Sequence, residues 1–152
     1  MPKSDELQPR IVIVSSAGVT RASYAMLPFA LKPVYKYLLA IPGKDKNGLE
    51  RLISYFAGWP WDVGLEDEPR EDIVGNRNWR DEPELPAAGS LKKLLVIRPA
   101  LLTDGDCKTR YRASQTDFGG WTVSRADVTH FIEDVALNKW DEFENKGIFI
   151  AY

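Results

Sequence analysis

Apolar residues along this chain follow two periods. Ile11–Val14 is an unbroken β-branched run that stops at Ser15-Ser16-Ala17-Gly18. This pattern predicts a strand within Arg10–Gly18, covered on both faces. Residues 19–32 are mixed, include Pro28, and read as a loop with some helical turn. From Pro33, which suits a first helical turn, the period becomes helical. Pro42-Gly43 predicts a break, because proline lacks the amide donor and clashes with the preceding turn. A second helix is expected from about Lys44 to Phe56. Its Leu49, Leu52, Ile53 and Phe56 share one face, and Gly58 stands where a C-terminal cap belongs.

Residues 59–90 break the rhythm with prolines, acids and three tryptophans. So long a loop is uncommon inside one domain, which predicts an insertion or lid. The tryptophans predict that part of it packs. Order returns at Leu94–Ile97, a second strand. "TRYRASQ" and "GWTVS" around Gly119-Gly120 predict a small hairpin. Ser124 with Asp127 three residues on reads as a helix N-cap, a capping-box variant with Asp in place of Glu. The helix that follows puts Val128, Phe131, Ile132 and Val135 on one face, and Gly147–Tyr152 is a terminal strand. Strands separated by helices predict an α/β fold with a parallel sheet. Ligands bind such sheets at the carboxyl ends of the strands, here Ser15–Gly18 and Arg98–Gly105.

The chain has 152 residues, 44% hydrophobic and 28% charged, which is the composition of one globular domain. A net charge of −2 gives no basic footprint for nucleic acid. Apolar runs fall far short of the roughly 20 residues of a membrane span. The polar start "MPKSDELQPR" resembles neither a signal nor a transit peptide. With Cys107 as the only cysteine, no internal disulfide forms, and a cytoplasmic location is expected. Cys107 reads as a loop thiol more readily than as a nucleophile. His130, the only histidine, has no partner at metal spacing, so no metal site is expected.

Four segments, "IVIVSSAG", "KDKNGLERLI", "LLVIRPALLTDG" and "WTVSRADVTHFI", occur in that order. Together they resemble the second half of an atypical short-chain dehydrogenase/reductase of the NAD(P)H-binding, NmrA-like group, over about residues 10–57 and 91–152. The resemblance implies a partial Rossmann-like domain over 1–152, with a parallel sheet, flanking helices and a long irregular insertion. It implies NADP or NAD as cofactor and a possible oxidoreductase or cofactor sensor. The chain contains no G-x-G-x-x-G phosphate loop. It therefore reads as truncated, lacking an N-terminal glycine-rich half. Either that half or a second copy of the chain is the expected partner. A non-enzymatic interaction module that pairs through an exposed sheet edge is the alternative.

By the same resemblance Ser15 and Ser16 fall near the nicotinamide, and Lys46 matches a D-K-x-x-x-E lysine that bonds its ribose. Ser16 and Lys46 are the catalytic candidates. Arg98, Pro99, Ala100 and Leu101 are expected beside the cofactor, with backbone groups of Ala100 and Leu101 offered to the carboxamide. Plain structural readings stand beside these. Ser15-Ser16 is also an ordinary polar strand end, and Lys46 with Glu50 is an ordinary helical i, i+4 pair. Arg98 also reads as half of an ion pair, with Asp127 as a candidate partner. Arg125 and Asp127 read as a helix start. The Tyr-x-x-x-Lys pair is absent, since Tyr24, Tyr35 and Tyr37 are followed four residues later by Pro28, Leu39 and Ile41. The usual proton donor is therefore missing at its usual spacing.

Overall fold

The densest apolar run, "LLVIRP", becomes the middle of the molecule. The computed structural model describes residues 8–61, 68–76 and 78–152. Strand β1 is Ile11–Val14, followed by α1 (Arg21–Met26), α2 (Lys32–Tyr37), α3 (Ala40–Ala57) and α4 (Glu71–Val74). Then come β2 (Leu94–Pro99), β3 (Leu101–Thr103), β4 (Arg112–Ser114) and β5 (Thr122–Ser124). Helices α5 (Arg125–Asn138) and α6 (Trp140–Phe143) precede β6 (Lys146–Ala151). The main sheet runs β1-β2-β6-β4. Its first three strands are parallel, and β4 is antiparallel to β6.

Residues on β2 point alternately to the two faces of the sheet. Leu94 and Val96 meet Ile53, Phe56 and Ala57 of α3. Leu95 and Ile97 meet Val128, Phe131 and Val135 of α5, with Ile148 and Ile150 of β6. The sheet is thus sandwiched between helices, the expected Rossmann-like layering. Ser124 caps α5 by accepting the Asp127 amide, as predicted.

Three expectations are corrected. Helix α3 does not break at Pro42-Gly43. Pro42 is its third residue, in the first turn, where an amide has no intrahelical acceptor to lose. The Gly43 amide already bonds the Leu39 carbonyl, so the helix runs through. Strand β1 is not fully covered: it is the sheet edge, its first three residues are half-buried, and Val14 is exposed. The hairpin does not form either. β4 joins β6, and β5 pairs in parallel with β3 as a separate two-stranded sheet. Gly120 between them packs so closely on Ala151 that a Cβ there would sit 2.1 Å from the alanine's own. The connection is thereby pressed against β6 and not folded into a tight turn.

The described part of 59–90 packs along α3. Trp79 is buried, edge-on to Tyr55 at 5.2 Å, with the Arg51 guanidinium over its ring. Glu68 accepts from Arg51 at 3.0 Å and from Arg80 at 2.6 Å. The Leu91 amide bonds the Phe56 carbonyl. Among the described residues no helix is long and apolar enough to cross a membrane.

Candidate functional site

Beyond Val14 the ladder continues briefly, the Ser15 amide bonding Ile97 and the Ala17 amide bonding Pro99. The chain then turns sharply at Gly18, whose φ is +74°. The Gly18 amide donates to Ser23 Oγ, which donates to Asp117. A Cβ on Gly18 would lie 2.8 Å from Leu27 and 3.0 Å from Tyr35. Glycine is therefore needed twice, for the left-handed φ and for the close approach. Gly18→Ala is expected to lower stability by about 1–2 kcal/mol and to displace Tyr35. Thermal unfolding and the near-ultraviolet tyrosine signal would read the two effects.

This turn, α2 and the start of α3 enclose a cleft of about 300 Å³ at the carboxyl end of β1. Ser16, Tyr35 and Lys46 all line it. Ser16 Oγ donates to the Ala17 carbonyl at 2.9 Å. Lys46 Nζ donates to the Val14 carbonyl at 3.0 Å, so the ammonium is fixed against the edge of the sheet. Burial pushes the Tyr35 phenol above its usual range, a hydrogen bond with Ser16 pulls it down, and the Asp117 charge pushes it up again. The phenol is accordingly neutral at physiological pH. Ser15 faces inward, 2% exposed, and its hydroxyl has no partner among the described residues.

Arg98 stands in the next hollow with Glu50, Trp59 and Trp61. Glu50 takes its guanidinium with both oxygens, at 3.0, 3.0 and 2.7 Å. Asp127 is not its partner. That carboxylate is fully buried at the start of α5 and accepts from Ser124, Tyr152, Cys107 and the Lys108 and Thr109 amides. Lys46 and Glu50, neighbours on α3, thus serve different partners, and the i, i+4 pair is not formed. Pro99, Ala100 and Leu101 do not line the cleft but lie behind it: the Pro99 carbonyl accepts from Ala17, the Ala100 amide is held by Ile150, and Leu101 pairs with Thr122 and packs against the Tyr35 cluster. Arg125 pairs with Asp104 at 2.6 Å on the surface. His130 is bonded to the Tyr111 hydroxyl at 2.8 Å. Desolvation and then Asp127 raise the Cys107 thiol above its usual range, so it is not a ready nucleophile.

Tyr35 is the residue that spacing alone misses. It reaches Ser16 because Gly18 has no side chain and α2 packs over the turn. Its distance in sequence from Lys46 carries no helical period, so only the fold brings the two to one cleft.

The residues fit part of a nicotinamide dinucleotide. A volume of about 300 Å³ lies at the small end of ligand pockets, which run to roughly 1,000 Å³. It suits one ring-and-sugar end, while the glycine loop that cradles a pyrophosphate is absent from the sequence.

No family model matches the chain. It is 28% identical over 153 residues to Reductase pytE of Aspergillus terreus, covering 95% of this chain and 48% of that protein. A short-chain dehydrogenase/reductase (wide type) from Veillonella parvula, solved in complex with NADP, aligns with TM-score 0.48 and 18% identity over 94% of this chain and 50% of its own. ChuY, an anaerobilin reductase from Escherichia coli O157:H7, aligns with TM-score 0.46 and 17% identity over 93% and 49%. The chain spans about half the length of these proteins.

Proposed function

We propose that this chain supplies the nicotinamide and substrate side of an NAD(P)-dependent reductase site of the atypical short-chain, NmrA-like type. The observation that carries the reading is the meeting of Ser16, Tyr35 and Lys46 in one cleft at the carboxyl end of a parallel strand. The 28% identity to a reductase is consistent with it. A reduced nicotinamide, when bound, supplies hydride. The chain's own residues bind and orient. The Lys46 ammonium spends one proton on Val14 and keeps two donors for ribose hydroxyls. The Ser16 hydroxyl lines the cleft and, on turning away from the Ala17 carbonyl, would offer its one proton to an oxygen that gains negative charge. Neutral Tyr35 retains a phenolic proton beside it. Glu50 and Arg98 hold the end of β2 against α3 in the neighbouring hollow. A reducing, cytoplasmic setting suits a chain with one cysteine.

A second reading rests on β1. The Ile11 and Ser15 amides face β2, so by the two-residue period Val12 and Val14 turn their amides outward. An open edge of this kind invites another strand. A complementary half carrying the glycine loop would fill it, as would a second copy of this chain.

Calorimetric titration with NADPH and NADH tests the first reading. Micromolar binding is expected, weakened about tenfold by Lys46→Met through loss of a charge-assisted contact. No binding up to millimolar by a folded sample would overturn stand-alone cofactor binding. A dimer in light scattering would then favour the edge-pairing reading.

A further inference from the structure

The charge of the cleft differs from that of the molecule. The chain as a whole carries a net charge of −2. Yet among the described residues the cleft is lined by Lys36, Lys44 and Lys46 and by no Asp or Glu. The nearby acid Asp117, whose charge reaches Tyr35, is occupied by Ser23 and the Gly119 amide. Asp45 is exposed on α3 and does not line the cleft. Helix α3 begins here, with no acidic residue in its first turn and no side-chain cap. Its positive end therefore adds to the field of the lysines. Lys46 is tied to Val14, but Lys36 and Lys44 are exposed at the rim. Lys36 rests over the Tyr37 ring at 5.4 Å, and Lys44 has no ion-pair partner among the described residues. The walls are apolar: Val19, Leu39 and Pro42 face the ligand space together with the Tyr35 ring.

We infer that the substrate of this cleft is an organic acid, an apolar body whose carboxylate meets Lys36 and Lys44 at the rim. This rests on the cleft being the substrate side of a reductase site. A low-dielectric wall beside cations with no ion-pair partner among the described residues concentrates a field that favours an anion, while the apolar surface rewards burial of the body. Neither a small inorganic anion nor a neutral hydrocarbon uses both features.

The probes are 2-naphthoate and its neutral isostere 2-naphthamide, titrated into the full chain by calorimetry. The acid is expected to bind about tenfold more tightly than the amide, two exposed charge contacts accounting for the difference. The K36Q/K44Q double variant is expected to reduce that preference to about twofold and leave naphthamide affinity unchanged. Circular dichroism would verify that the variant is folded. Equal affinity for acid and amide, or a preference that survives in the double variant, would overturn the inference. So would displacement of naphthoate by inorganic pyrophosphate, which would give the lysines to the cofactor's phosphates. Preferential naphthoate binding by a chain that binds neither NADPH nor NADH would uphold the acid site and remove the reductase reading, so the two fail separately.

Discussion

Glu50→Ala is expected to lower the stability of the chain by about 3–5 kcal/mol, the usual cost of stranding one partner of a buried ion pair. Glu50 is 5% exposed and grips the Arg98 guanidinium with both carboxylate oxygens. The guanidinium lies over the Phe149 ring at 5.2 Å. It also fills the space above Gly147, where a Cβ would come within 2.3 Å of it. With Glu50 gone, a cation on β2, between β1 and β6, has no carboxylate to offset its desolvation. Urea unfolding would show a lower midpoint, and thermal unfolding a fall on the order of 10 °C for a domain of this size. Glu50→Gln keeps an acceptor and is expected to cost less. Replacing both partners by apolar residues, E50L/R98M, is expected to be close to neutral, because no charge is left buried. A large loss in that double variant as well would assign the pair a role in packing and not in charge compensation.

Asp127→Ala is the second large effect, expected at about 3–4 kcal/mol. It would leave the buried Ser124 hydroxyl, the half-buried Tyr152 hydroxyl and the amides of Lys108 and Thr109 without this acceptor. Thr109 adds to the cost. It is β-branched at φ +53°, a conformation held in place by its bond to Asp127. The same site predicts a pH dependence. Burial pushes the Asp127 carboxyl up, but hydrogen bonds from Tyr152, Ser124, the Thr109 amide and Cys107 outweigh it and hold it well below the usual carboxylate range. A carboxyl depressed on folding contributes in full above its unfolded pKa, about 3.9. That contribution erodes as the pH falls below about 4 toward the folded value. The stability gap between the wild type and Asp127→Ala should therefore be constant from about pH 5 to 8 and narrow below about pH 4. Urea titrations across that range measure it.

Much of the frame is legible in the sequence because it depends on local period. Leu94–Ile97, the Ser124 cap, the α5 face and the Gly58 terminus all follow from spacing within one element. The misreadings share a different cause. Pro42 reads as a helix breaker only if the helix has already begun; its meaning depends on where the first turn starts. "TRYRASQ" and "GWTVS" read as a hairpin because they are neighbours in sequence, whereas their partners, β6 and β3, are set by the tertiary sheet. Arg98 signals an ion pair, but the partner expected for it, Asp127, is the wrong one: Glu50, expected to pair with Lys46, is the carboxylate that the fold brings within reach. Tyr35 reaches the cleft by the same kind of long-range placement. The three lysines of the cleft lie within eleven residues, Lys36 to Lys46, but nothing in their spacing says that they face one hollow.

The central claim is that the cleft of Ser16, Tyr35 and Lys46 receives a nicotinamide. Amide chemical-shift mapping of the isotopically labelled chain against reduced nicotinamide mononucleotide tests it most directly, because that ligand needs no dinucleotide phosphate loop. Shifts concentrated at Ser16–Val19, Tyr35 and Lys46, with α5 and β4 silent, are the expected result. Shifts confined to other surfaces, or none at saturating ligand with the protein folded, would contradict it.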